Sequence, residues 1–187
     1  MTTSAETKAV IAADARRLVT RYFPDVDERG CCLYLAGMAG VAAMKRGVLL
    51  IPQAGTCYWP RVTEETDDGT EPNRFGYQWN GDPNSAKRAQ LRPGIVPLPE
   101  MHVWCADPIA QEIVDLTSGL FPEQCERIIH LPWKAPRPPE FFWGQGKDVP
   151  RGVLYDPDRS ATVLATLLIR EALDVIPAGD WRELRKT

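Results

Sequence analysis

The chain holds two histidines and five cysteines, and one histidine lies in a stretch whose spacing points to chemistry. Met101–Gly119 reads MHVWCADPIAQEIVDLTSG. Met101–Ala106 and Glu112–Leu116 are short apolar, β-branched or aromatic runs, and Asp107-Pro108-Ile109-Ala110 between them has turn chemistry. This pattern predicts an antiparallel hairpin with a four-residue loop. If Ala106 closes the loop opposite Gln111, Trp104 faces Ile113 and His102 faces Asp115. Side chains two apart share a strand face, so imidazole and carboxylate fall side by side, their Cβ atoms roughly 5 Å apart. A carboxylate there fixes the ring's tautomer and stabilises its protonated form. A nucleophile is available at Gly30-Cys31-Cys32, which opens a helix rich in small residues running to Gly47. A thiol in a first helical turn faces free N–H groups and the positive end of the helix dipole, which favour the thiolate. Nucleophile, base and orienter together are the set used for acyl transfer.

At 187 residues, 44% of them apolar, the chain reads as a single domain, 1–187, with a substantial core. Within it, 30–119 holds the catalytic-type elements, and 120–187 a Pro/aromatic-rich segment and a C-terminal helix. Twenty-two basic residues against 25 acidic ones leave a net charge of −3, which is not the footprint of a nucleic-acid binder. No apolar run reaches the roughly 20 residues of a membrane span. The N-terminus, MTTSAETKAV, lacks the charged and apolar regions of a secretory signal, so a cytoplasmic location is expected. Reduced thiols suit that compartment. No C-x₂-C spacing occurs, so neither a metal nor an organic cofactor is expected. Cys57, Cys105 and Cys125 read as packing residues, and His130 as structural.

The positioning elements follow in order. Thr3 and Glu6 suggest a capping box ahead of Ile11, Ala15, Leu18, Val19 and Tyr22 at helical spacing, with Lys8, Arg16, Arg17 and Arg21 on a solvated face. Asp25–Gly30 connects to the Cys helix. Val48–Ile51 suggests a short buried strand that Ala54–Trp59 continues past Pro52, 61–74 an acidic loop, Phe75–Trp79 a strand and Asn80–Pro99 a long loop. Phe121–Ile129 reads as a short helix. Leu131–Trp143, with four prolines, reads as extended. Val153–Tyr155 is a last strand, Ser160–Val175 an apolar helix buried on more than one side, and Asp180–Lys186 an amphipathic tail. Helices followed by adjacent strands give an α+β class, with the Cys helix packed on an antiparallel sheet carrying His102 and Asp115.

Gly30-Cys31-Cys32, His102-Val103-Trp104 and Asp115-Leu116-Thr117 together resemble the transglutaminase-like branch of the papain-like superfamily. That branch has a Cys at a helix start, a His followed by aromatic or aliphatic residues on a strand, and an Asp in a D-x-T context on the next. Its Cys helix often carries Ala four residues after the nucleophile and Gly about fifteen after. Ala36 and Gly47 fit that register from Cys32, whereas Leu35 and Arg46 answer to Cys31, so Cys32 is the expected nucleophile and Cys31 the alternative. Proteases similar to papain carry a glutamine shortly before the nucleophile, and no Gln precedes Cys32 here.

The resemblance implies a cysteine-dependent hydrolase or acyltransferase acting on an amide or ester through a thioester. Its substrate would be a protein, a peptide or a small molecule, with no nucleic-acid or membrane partner. The Cys32 N–H offers one oxyanion donor. Gln53, Trp59, Tyr77 and Gln78 are candidates for the second, and Trp104, Trp59, Gln53 and Trp79 for site lining. The alternative is a non-catalytic protein- or peptide-binding module on the same fold.

Overall fold

The computed structural model describes residues 3–26, 31–67, 69–70, 73–81 and 101–184. Two helices lead. Helix α1 (Ala5–Tyr22) is capped by Ser4, whose hydroxyl accepts from Thr7 N–H, rather than by Thr3. Its Ile11, Ala12, Ala15 and Leu18 form the buried stripe. Helix α2 (Cys31–Met44) is buried on all sides, from Leu33 to Ala43, and alternates Ala and Gly with larger residues. Gly47, at φ +66°, turns the chain out of α2.

Six strands follow among the described residues: β1 (Ile51–Pro60), β2 (Arg74–Tyr77), β3 (His102–Asp107), β4 (Glu112–Asp115), β5 (Phe142–Gln145) and β6 (Leu154–Pro157). Helix α3 (Phe121–Ile129) precedes β5; α4 (Arg159–Leu173) and α5 (Ala178–Leu184) follow β6. The result is a mixed α+β fold around one curled antiparallel sheet, ordered β2-β1-β3-β4-β5 with β6 also on β1. β1 is the hub. It pairs with β3 through Ile51–Gly55, with β6 through Gly55–Tyr58, and with β2 through Cys57–Pro60. Gly55 permits this crossing, because a Cβ there would collide with the Asp156 carbonyl oxygen.

The two sheet faces bury different cores. Ala54, Val103, Cys105 and Val114 pack beneath α1, α2 and α4. Cys57, Trp59, Phe75 and Phe142 pack with Phe121 and Cys125 of α3.

Several expectations change. The basic face of α1 is engaged in part: Lys8 reaches buried Glu112 at 2.8 Å and Arg16 donates to the carbonyls of Leu116 and Glu140, while Arg17 and Arg21 stay largely exposed as expected. Pro52 sits inside β1, opposite Cys105, and the strand continues past it as expected, but it begins at Ile51 rather than Val48. β5 emerges at the end of the proline-rich segment read as extended, once the prolines are passed. Helix α4 buries one stripe, Ala161, Ala165 and Ile169, while Val163 and Leu167 are exposed. The loop expected at Asn80–Pro99 lies outside the described residues from 82 onward, as does the connector ahead of α2 from 27 to 30.

Candidate active site

His102 opens β3 and is fully buried. Gly55 lies opposite it and Gln53 opposite Trp104, so Cys57 and Trp59, two and four residues past Gly55, share its face. The β3–β4 register is Cys105↔Val114, Ala106↔Ile113 and Asp107↔Glu112. This is two residues from the expected pairing. The Asp107 side chain accepts from the N–H groups of Ile109 and Ala110, both at 2.9 Å, and Gln111 takes φ 56°. Asp107 thus closes the strand and the loop begins at Pro108. A shift of two preserves every face. Continuing the ladder, Asp115 falls diagonally from His102, and they still meet.

His102 Nε2 donates to Asp115 Oδ2 at 2.9 Å, with both side chains 1% exposed. Tyr155 Oη donates to the same oxygen at 2.8 Å. Asp115 Oδ1 accepts from Thr117 Oγ1 at 2.6 Å and from Thr117 N at 2.8 Å. Four donors therefore hold one buried carboxylate. Burial pushes the Asp115 carboxyl up, but His102 and Thr117 outweigh it and the net shift is downward. Burial pulls His102 down, yet the charge and hydrogen bond of Asp115, with a further contribution from Cys32, carry it up to about 10. Tyr155 is pushed well up by burial and by Asp115, so its hydroxyl stays a donor.

Cys32 lies in the first turn of α2, half-buried, and its side chain interacts with the His102 ring. The second ring nitrogen, Nδ1, has no hydrogen-bond partner among the described residues. Cys31, also half-buried, packs against the helix-side core. Aromatic rings fix the imidazole: Tyr77 stacks at 5.7 Å, Trp104 at 6.0 Å, and Phe121 meets it edge-on at 5.2 Å. Such pairs favour one orientation beyond simple burial.

The remaining expected residues divide. Trp104 is buried beside His102 and against Tyr155. Trp59 is buried on the same face with its Nε1–H unpartnered among the described residues, approaching Cys57 and Tyr155 without hydrogen-bond geometry to either. Gln53 shares the face further along β1. Tyr77 commits its hydroxyl to Gln124 at 3.0 Å. Trp79 is drawn away, its backbone held by Thr56 and its indole N–H by Ser160. His130 takes the left-handed cap of α3 at φ 59°.

Cys57 is the unexpected member. Its Sγ, a His102 nitrogen and an Asp115 oxygen lie within 4.8 Å of one another, a donor set with the makings of a metal site. Both Asp115 oxygens already accept two hydrogen bonds each, so a cation there would have to displace protein donors. Burial and the Asp115 charge push the Cys57 thiol well up, which keeps it neutral. The arrangement suits proton handling better than metal binding. Cys57 and Tyr155 were hidden by distance in sequence; alternation along β1 and the run at Val153–Tyr155 were the available signals.

No protein-family model matches the chain, and no curated protein matches it. Among solved structures, one described only as a genomics target is similar at TM-score 0.49, with 14% identity, across 92% of this chain and 78% of the other. That likeness carries no functional argument. No helix among the described residues is long and apolar enough to cross a membrane.

Proposed function

We propose that the protein is a cysteine-dependent hydrolase or acyltransferase of amides or esters, on a papain-like, transglutaminase-like core. One observation carries this reading: a buried imidazole is anchored by Asp115 through Nε2, leaves Nδ1 unpaired, and has the half-exposed thiol of Cys32 against its ring. The Cys32 thiol gives its proton to His102 before attack, and the resulting thiolate, paired with the imidazolium, adds to the carbonyl carbon. The imidazolium then protonates the departing amine or alcohol as its bond to the carbonyl carbon breaks, leaving a thioester. Water, or an acceptor amine, gives a proton to His102 and attacks the thioester, which releases the acid or the new amide and restores the thiol. Asp115 stabilises the imidazolium throughout.

The test is iodoacetamide alkylation followed across pH, with mapping of the modified cysteine. A thiolate paired with imidazolium reacts at pH 6, where an ordinary thiol is protonated. Cys32 is expected to be modified there ahead of Cys31, and Cys31→Ser to leave the rate unchanged. Alkylation of Cys32 at pH 6 no faster than a free thiol refutes the assignment and leaves a binding module on this fold.

A further inference from the structure

At the other end of α2 from Cys32 lies a concavity unconnected with the thiol chemistry. A slot of about 510 Å3 opens between α2 and α4, with Gly40 on α2, Leu50 ahead of β1, and Ile169 and Leu173 on α4 among its lining residues. Its size falls within the roughly 300–1,000 Å3 of small-molecule sites. Two features point to an occupant. Gly40 is a helix-interior glycine that packing does not require: a Cβ there would meet only the Leu50 carbonyl oxygen, at 3.9 Å. Glycine in mid-helix is destabilising relative to alanine, and here the missing side chain keeps the slot open. Lys45 lines the same slot, half-buried, with no ion pair or hydrogen bond among the described residues.

The carbonyl end of α2 is not free to repel an anion. Arg46 N–H and Val48 N–H donate to the Ala43 carbonyl, Gly47 N–H to that of Met44, and the Arg46 guanidinium to that of Ala42. We propose that this slot binds a single-chain fatty carboxylate, its tail between α2 and α4 and its head on Lys45.

Calorimetry with octanoate, decanoate and dodecanoate below their micellar concentrations tests this on the full chain. Each methylene added inside the slot is expected to tighten binding by about fourfold until the slot is full. Gly40→Leu, which occupies the space, is expected to weaken decanoate at least tenfold, while Gly40→Ala keeps the fold and most of the affinity. Lys45→Met is expected to weaken decanoate about threefold to fivefold and to leave decanol unchanged. Absence of binding by the wild-type chain overturns the proposal, as does binding indifferent to Gly40→Leu. Equal loss of decanoate and decanol in Lys45→Met overturns the carboxylate assignment.

Discussion

Replacing Tyr155 by Phe removes one oxygen and leaves the ring against Phe142 and Trp104. Asp115 Oδ2 then keeps only His102 Nε2, while Oδ1 keeps both bonds from Thr117. A hydrogen bond to a charged acceptor contributes about 1.5–3 kcal/mol, against about 0.5–1.5 kcal/mol between neutral groups. The substitution should therefore cost about 1.5–3 kcal/mol at pH 7. The sign with pH follows from Asp115. Its folded pKa lies below 3.8, so the stability it brings is present above that value and is lost as pH falls through the folded pKa. The Tyr155→Phe cost should accordingly shrink to the neutral range in acid. Urea unfolding followed by tryptophan fluorescence at pH 7 and at steps downward into acid, as far as both proteins stay folded, follows the cost. A pH 7 cost below about 0.5 kcal/mol refutes the four-donor account of this carboxylate, as does one that grows as the pH falls.

Asp115→Ala strips the buried imidazole of its partner and should cost about 3–5 kcal/mol, read from the shift in urea midpoint. The stability contributed by His102 should be fully present below pH 6.5 and lost as pH rises toward about 10, because its folded pKa is raised. Thermal melts from pH 6 to 10 should show that decline, and His102→Gln should flatten it; an unchanged alkaline slope in the variant contradicts the pairing. Gly55→Ala forces β6 away from β1 at the Asp156 carbonyl and should cost about 1–3 kcal/mol, with altered near-ultraviolet circular dichroism as Tyr155 moves. Wild-type spectra and stability in that variant would show that the crossing tolerates a Cβ.

The pairing of His102 with Asp115 was legible because strand periodicity is forgiving: a register error of two residues moves a partner along the strand without turning it over. The error itself came from Asp107, whose side chain ties two loop N–H groups and so belongs to the strand end; nothing in the composition of Asp-Pro-Ile-Ala distinguishes that from a loop start. α2 was legible as well, since a run of small and apolar residues from Cys31 to Met44, followed by a left-handed Gly47, reads as a helix. Tyr155 and Cys57 were not. Their roles depend on β1 pairing with three strands at once, and such long-range pairing leaves no local periodicity. α4 misled for a related reason: Val163 and Leu167 look like core, but only the stripe of Ala161, Ala165 and Ile169 is buried against the rest of the fold.

Because β1 waits for β6, the carboxylate at 115 meets its phenolic donor only when residues forty positions downstream have emerged. A nascent chain halted after β4 would hold Asp115 and His102 without that donor and without the strand that seals β1. Docking of β6, rather than closure of the His102–Asp115 hairpin, is then the step that completes the ring of donors around the buried charge.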